Sequence, residues 1–219
     1  MKKFLLAGFV MSAAVVALPA YAADSPDDGV SPWFFRVGAA ELQNLDGLDA
    51  TVGGQPLAGA ALHYHHIFTA LLEVGYSFMP DWSAVLSVGL PPAISVYGGG
   101  SIAGVGKLES TTFGPSAFTI QYQPFHDGMF RPYVGAGGSY LVIFSTHDAA
   151  LQNAKLGNDL SPEVEAGTDI MFEENLGLFV EVKKAWLTSH ATGTFNGLPF
   201  NGTANISPWV YSTGVTLHF

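Results

Sequence analysis

Every second residue from Phe68 to Phe78 is apolar, and this pattern constrains the fold more than any other stretch of the chain. Successive side chains of a β-strand point to opposite sides, so a period of two gives the strand one apolar face. Aromatic residues at both ends of such a face are typical of a strand that crosses an outer-membrane bilayer. The apolar face consists of Phe68, Ala70, Leu72, Val74, Tyr76 and Phe78.

The same alternation recurs along the chain and predicts eight strands in all. They are expected at residues 33–42, 68–78, 82–90, 107–122, 130–144, 163–170, 176–187 and 208–219. Three of the connections between them are short, after residues 78, 123 and 172, and the four others are long. We therefore predict an all-β fold, an eight-stranded antiparallel transmembrane β-barrel with short periplasmic turns and long extracellular loops. A soluble lipocalin-like barrel is disfavoured, because its small lumen would have to bury eight aromatic-flanked faces.

The first 22 residues are predicted to be a secretory signal peptide, followed by a barrel domain at residues 23–219. Lys2 and Lys3 precede an apolar run at residues 4–18, and Ala20-Tyr21-Ala22 is a small-x-small cleavage site. The alternative, an N-terminal membrane helix, is disfavoured because the run is short for a span and ends at Pro19. The eight-stranded count would put both termini on the periplasmic side of the outer membrane.

Composition excludes several classes of protein. Removing residues 1–22 from the 219-residue chain leaves 197 residues, and the loss of Lys2 and Lys3 takes the net charge from −10 to −12. Such an acidic chain gives no support to nucleic-acid binding, which needs a basic face. The chain has no cysteine, so it has no disulfide, no thiol nucleophile and no thiolate metal site.

Charged residues with inward parity are predicted to form a polar plug inside the barrel. The lumen of an eight-stranded barrel is just wide enough for side chains to fill, which excludes a wide aqueous pore. A cation that faced the bilayer midplane would cost about 2–4 kcal/mol, so inward parity is favoured for such residues. Opposite charges in a confined lumen should pair, and a structural role is favoured over a selectivity device. The predicted plug consists of Arg36, Glu73, Arg131, Glu181 and Lys183; the acidic residues of the strand at 163–170 are also expected to face inwards.

Two further sets of residues are candidates for a path through the barrel. Pro91, Pro92 and Pro115 flank the outer half of neighbouring strands, where a missing backbone donor weakens pairing. They mark either a sideways exit for an apolar solute or ordinary strand ends, and the sequence leaves both interpretations open. The residues predicted to line the channel are Leu57 and Leu62 of the first long loop, with inward-facing Val85, Leu141 and Phe179.

Metal, cofactor and catalytic sites are not predicted. His63, His65 and His66 form a cluster in which His63 and His65 would share a face, but a third metal ligand is not evident, and most histidines in loops bind no metal. The glycine-rich stretch at residues 98–106 opens no helix and carries no adjacent Lys-Ser or Lys-Thr, so it is not a phosphate loop. Some eight-stranded barrels are lipid-modifying enzymes with a Ser-His pair on the lipid face, but no histidine here shares a strand with a suitably placed outward serine.

Three stretches resemble the OmpW family of small outer-membrane β-barrel proteins, which includes AlkL-like alkane-uptake proteins. They are FRPYVGAG at residues 130–137 with the following Ser139-Tyr140, SPWVYSTGVTLHF at 207–219, and WFFRVGAA at 33–40. The resemblance implies an eight-stranded barrel with a narrow hydrophobic interior, proposed to pass small apolar molecules across the outer membrane. It also implies that the barrel-assembly machinery recognises the C-terminal strand ending at Phe219. The chain departs from the family at Leu90-Pro91-Pro92 and in its loops.

The expected function is therefore a narrow outer-membrane path for small hydrophobic molecules, in a monomer that contacts lipid and lipopolysaccharide. A surface receptor or structural protein that contacts phage, bacteriocin or host, without transport, is the alternative. A lipid-modifying barrel enzyme is the weaker alternative.

Overall fold

The computed structural model describes residues 31–43, 48–63, 67–148, 150–156 and 160–219. The predicted signal peptide at residues 1–22 lies outside the described residues, as do His65 and His66. In chain order the described strands are β1 (Trp33–Gln43), β2 (Leu48–Val52), β3 (Gln55–Pro56), β4 (Ala60–His63), β5 (Ile67–Met79), β6 (Trp82–Gly89), β7 (Ala93–Gly100), β8 (Lys107–Tyr122), β9 (Phe130–Asp148), β10 (Leu151–Leu156), β11 (Leu160–Met171), β12 (Leu176–Ala185), β13 (Leu187–Phe195), β14 (Leu198–Ile206) and β15 (Trp209–His218). None of the described helices is long and apolar enough to cross a membrane.

Eight of these strands close into an antiparallel barrel, in the order β8-β6-β5-β1-β15-β12-β11-β9 and back to β8. The first and last strands of the chain pair from Phe34 opposite His218 to Gln43 opposite Trp209. This confirms the predicted fold class. The three short connections lie at the same end of the barrel as Trp33 and His218, here called the turn end. The four long connections lie at the opposite end, the loop end.

The long connections contain regular strands, which corrects their interpretation as loops. The strands β10-β13-β14-β2-β3 form a second sheet at the loop end, and β7 pairs with both β4 and β8. The turn between β13 and β14 is Asn196-Gly197, with both residues at positive φ (49° and 78°). Two-residue turns of this kind match the twist of a hairpin, so Asn-Gly is a hairpin signal. The Gly, Thr and Asn content of residues 188–207 favoured a loop and hid that signal.

Side chains of the barrel strands separate as the period of two predicts. Inward-facing Arg36, Glu73 and Asp169 are almost completely buried. Large apolar side chains are exposed on the outside, as expected where the surrounding solvent is lipid. Aromatic residues gather near the turn end, where the rings of Trp33 and Tyr76 pack at an angle with their centroids 4.8 Å apart. Exposed outward side chains include Phe68, Leu72, Leu86, Phe118, Val134 and Val180.

Candidate functional site

Arg36 is buried in the middle of the lumen and makes a bidentate contact with Asp169. Its Nε and Nη2 donate to Asp169 Oδ1 and Oδ2 at 3.0 and 2.8 Å. Its Nη1 donates to Glu73 Oε2 at 3.3 Å and to Gln121 Oε1 at 3.2 Å. The guanidinium also lies against aromatic rings, 4.3 Å from the ring centroid of Tyr133. A planar guanidinium suits this arrangement, because its donors match a carboxylate in pairs and its face stacks on rings.

Lys183 is the second buried cation, and it binds three carboxylates. Its Nζ lies 2.7 Å from Glu73 Oε1, 2.9 Å from Glu165 Oε2 and 3.2 Å from Glu181 Oε1. It also lies 3.0 Å from the hydroxyl of Ser87. An ammonium group has three protons, so these acceptors use all of them. Glu73 contacts both cations and joins them into one network.

The remaining carboxylate oxygens accept hydrogen bonds from neutral groups. Glu165 Oε1 accepts from Thr119 and from Gln121, both at 2.7 Å. Glu181 accepts from Ser212 at 3.0 Å and from Tyr133 at 3.1 Å. Four carboxylates and two cations are thus fully paired, and we call them the ion network: Arg36, Glu73, Glu165, Asp169, Glu181 and Lys183. Because water barely reaches any of these side chains, the network closes the lumen at this height.

Four of the five residues predicted for the plug lie in the ion network, and Arg131 does not. The Nε of Arg131 is buried without a hydrogen-bond partner, and Arg131 makes no ion pair with the described residues. Asp169, the residue opposite it on β11, is already occupied by Arg36 and by Gln123. Asp169 and Glu165 were missing from the predicted plug although their inward parity was recognised. Parity gives the face of a residue but not its height, which depends on how neighbouring strands are staggered.

The lumen between the ion network and the loop end has two unlike sides. One side is apolar, on β1 and β5, and the opposite side is polar, on β9 and β11. These pairs of strands face each other, because four positions separate β5 from β11 and β1 from β9 in the ring of eight. The buried residues of the apolar side are Ala40, Leu42, Ile67 and Leu71, and those of the polar side are Ser139, Ser161 and Glu163.

The structure does not bring the predicted channel-lining residues together. Val85 and Phe179 face inwards and are fully buried, but they lie at the height of the ion network. The ring of Phe179 is 5.9 Å from the guanidinium of Arg36. Leu57 is half-buried in a cleft of about 610 Å³ bordered by β2, β13 and β14. The backbones of Leu62 and Leu141 pair with Gly98 and Pro115, while their side chains lie outside the described part of the structure.

The prolines predicted to weaken the wall do meet at one place. Strand β6 pairs with β8 as far as Val88 opposite Ser116, and β7 pairs with β8 from Ala93 opposite Thr112. Residues 113–115 of β8 therefore have no strand partner on this side, opposite residues 89–92. A Cβ built on Gly89 would lie 2.7 Å from Cγ of Pro115, so the two strands remain close there. We call residues 89–92 and 113–115 the proline break; it contains Pro91, Pro92 and Pro115.

Metal binding finds no support among the described residues, where no group of three or more His, Asp or Glu side chains could hold an ion. The side chain of His63 lies outside that part of the chain, so the histidine cluster stays untested. The expected absence of a cofactor and of catalytic residues stays a prediction.

Comparison with known structures supports the fold. The crystal structure of the outer membrane protein OprG from Pseudomonas aeruginosa superposes with a TM-score of 0.77, at 23% identity, over 85% of this chain and 95% of that one. The solid-state NMR structure of the outer membrane protein AlkL in lipid bilayers gives a TM-score of 0.70, at 22% identity, over 85% of this chain and 89% of that one.

Sequence comparison gives the family. AlkL of Ectopseudomonas oleovorans is 24% identical, over 98% of this chain and 94% of its own. The dibenzothiophene metabolism operon protein PahQ of Pseudomonas aeruginosa is 25% identical, over 86% of this chain and 89% of its own. The family model of OmpW matches residues 33–219, which is the whole barrel with its second sheet. The chain therefore belongs to the OmpW family, and it is an outer-membrane β-barrel protein.

Proposed function

We propose that the protein gives small apolar molecules a path into the outer membrane. These molecules enter the lumen from the loop end and leave it sideways through the proline break. The observation that carries this proposal is the contrast within one barrel. The ion network closes the lumen along its axis, while the wall on its loop side has a gap in strand pairing. A molecule that enters from the loop end has a sideways way out that avoids the buried charges.

The lining of the path supports an apolar solute. Ala40, Leu42, Ile67 and Leu71 provide a buried apolar side to the lumen. Burial of apolar area stabilises a complex by about 25 cal/mol per Å², so such a solute would favour this surface over water. In this proposal Leu57 and Leu62 serve the outer mouth of the path together with Leu141, and Val85 and Phe179 form its floor beside the ion network.

The outer surface beside the break supports an exit into lipid. Phe68 and Leu90 are each 66% exposed there, so a solute would pass from one apolar environment to another. An unpaired backbone N–H inside a bilayer is costly, because no water is present to satisfy it. Proline has no N–H, so Pro91, Pro92 and Pro115 reduce the number of orphan donors that an open wall leaves.

The relatives support the class of solute. The name of PahQ connects that protein with an operon for the metabolism of dibenzothiophene, a small apolar aromatic compound. We propose the same class of molecule, small and apolar, for this chain. The proposal also includes both termini in the periplasm, recognition of the strand ending at Phe219 by the barrel-assembly machinery, contact of the loop end with lipopolysaccharide, and a monomeric state.

A reversible cross-link tests the sideways exit. The chain has no cysteine, so Gly89→Cys with Pro115→Cys introduces a single pair of thiols at directly opposing positions across the break. We expect cells with the protein to take up a radiolabelled medium-chain hydrocarbon faster than cells without it. Oxidation of the cysteine pair should lower this uptake several-fold, and reduction should restore it.

The matched control is Leu178→Cys with Val215→Cys, which joins opposing residues of β12 and β15 in the intact wall. Its oxidation should leave uptake unchanged. Replacing Pro91, Pro92 and Pro115 together by alanine should also slow uptake. Equal uptake in the proline variant, or in the oxidised and reduced forms of the break variant, would contradict the sideways path.

A receptor function is the second candidate, and the second sheet is the observation that favours it. Strands β10, β13, β14, β2 and β3 give the loop end an ordered surface that a phage, a bacteriocin or a host molecule could bind. If cells with and without the correctly inserted protein take up hydrocarbon at the same rate, this function becomes the better proposal. Sensitivity to phage and bacteriocin panels, compared between the same two strains, would then be the measurement.

A further inference from the structure

Glu163 is a buried carboxylate on the loop side of the ion network, and one of its oxygens has no partner. Only 5% of the residue is exposed. Its Oε1 is buried and accepts no hydrogen bond from the described residues. Glu165, two residues away on the same face of β11, has both oxygens bound. A buried carboxylate without a donor is unfavourable, so this position lacks a group that the described structure does not supply.

The two buried cations cannot supply that group. Lys183 donates its three hydrogen bonds to Glu73, Ser87 and Glu165, and its charge is also paired with Glu181. Arg36 is engaged by other members of the ion network and by Gln121. Counting Glu163, the lumen therefore holds five buried carboxylates but only two buried cations among its described residues. The unfilled partner at Glu163 should be a hydrogen-bond donor with a positive charge.

Ser139 provides a second polar group without a partner at the same place. It is 7% exposed, and its hydroxyl is buried without a hydrogen bond to the described residues. Strand β9 places Ser139 opposite Ser161 and Gly137 opposite Glu163. Ser139 and Glu163 are therefore diagonal neighbours on the lumen face of two paired strands. Two polar groups without partners are therefore neighbours at the polar side of the lumen.

The opposite side of the lumen is apolar at this height, which indicates that the rest of the ligand is apolar. Ala40, Leu42, Ile67 and Leu71 face the polar side across the barrel. We propose that Glu163 and Ser139 bind the ammonium group of a small apolar amine, whose hydrocarbon body packs on this apolar side. An ammonium group donates up to three hydrogen bonds, and those to a carboxylate are charge-assisted. This inference rests on the proposed function and narrows its class of solute.

Binding of a soluble amine tests the site. The protein, folded in detergent micelles, is titrated by calorimetry with 2-phenylethylammonium chloride and with 2-phenylethanol, which has the same body without the charge. We expect the amine to bind about tenfold more tightly than the alcohol, because only the amine forms a charge-assisted hydrogen bond. Glu163→Gln should remove most of this difference and change the affinity for the alcohol by no more than about twofold. Ser139→Ala should weaken the amine by a smaller factor.

The matched control is Glu174→Gln, the same change at an exposed residue of a turn at the far end of the barrel. It should leave both affinities unchanged. Equal affinities for amine and alcohol in the unaltered protein, or an amine affinity that survives both Glu163→Gln and Ser139→Ala, would overturn the proposal. The proposal would also be overturned if sodium ion bound at Glu163 and the amine did not compete with it.

Hydrocarbon uptake separates this inference from the function on which it rests. Cells with the Glu174→Gln control should take up the labelled hydrocarbon as fast as cells with the unaltered protein. If hydrocarbon uptake depends on the protein and amine binding does not depend on Glu163, the inference alone fails. If amine binding depends on Glu163 but neither the hydrocarbon nor the amine crosses faster with the protein present, the proposed path fails and the binding site stands.

Discussion

The two halves of the lumen differ in how completely their polar groups are satisfied. In the ion network, each of the four carboxylates has a partner for both oxygens, and Lys183 uses every proton. Closer to the loop end, Glu163 and Ser139 keep buried atoms without partners. The first arrangement is suited to a fixed seal, because any movement would break several charge-assisted contacts at once. The second leaves interactions open for another molecule.

The wall differs in the same way as the interior. Below the break, β6 and β8 pair at seven successive positions from Trp82 opposite Tyr122 to Val88 opposite Ser116. Beyond that point, residues 113–115 have no strand partner on this side. A barrel needs closed hydrogen bonding wherever its backbone meets hydrocarbon. The half of the wall that holds the ion network is hydrogen-bonded throughout the described pairs. In the half nearer the loop end, strand pairing is interrupted where proline removes the donor.

Loss of Lys183 should have the largest effect on stability. Lys183→Met would leave Glu73, Glu165 and Glu181 buried together without their shared cation. Removing one partner of a buried ion pair costs about 3–5 kcal/mol. Urea unfolding in lipid vesicles, followed by tryptophan fluorescence, measures this change.

The adjacent residue gives the control for that experiment. Lys184 donates to the backbone oxygen of Ser207 and lies 5.0 Å from the ring centroid of Trp209, outside the ion network. Lys184→Met should cost less than about 1 kcal/mol. Similar losses in the two variants would mean that the network contributes no more than a partly exposed lysine does, and the contrast between the halves would disappear.

The same substitution at two glutamates of β11 compares a residue of the ion network with a residue outside it. Glu165→Gln removes the charge that binds Lys183 at 2.9 Å, so it should cost about 2–3 kcal/mol. Glu163→Gln removes a charge without a bound donor and should leave the free energy of unfolding unchanged or raise it slightly. The same urea titration compares them. If Glu163→Gln destabilises the protein as much as Glu165→Gln, then Glu163 already has a partner that stabilises the fold.

The barrel could be predicted from sequence because its signal is local. A period of two is visible within each strand, and proline marks the loss of a donor at its own position. The fold class, the inward position of Arg36 and the weak pairing near Pro115 all follow from such signals. The hairpin at Asn196-Gly197 also has a local sequence signal, but the polar composition around it favoured a loop instead.

The ion network could be predicted only in part, because its contacts depend on stagger between strands far apart in sequence. Arg36 binds Asp169 across 133 residues, and no local pattern distinguishes that pairing from one with Arg131. The isolation of Glu163 is harder still to foresee. It depends on Lys183 being fully occupied by Glu73, Ser87 and Glu165, and hence on the positions of four strands at once.

The smallest expected effect tests whether the proline break contributes to the stability of the barrel wall. Pro115→Ala restores a backbone N–H at a position with no strand partner on its β6 and β7 side. Because this N–H would have no strand partner, the free energy of unfolding should fall by about 1–3 kcal/mol, the cost of one unsatisfied donor. Ile120→Pro is the reverse change on the same strand, where Ala84 and Ala136 pair on both sides. It should cost about 3 kcal/mol or more, because proline removes a ladder bond and strains its neighbours. A loss in Pro115→Ala as large as that in Ile120→Pro would show that the proline ring packs as part of a closed wall, and the path would then need another exit.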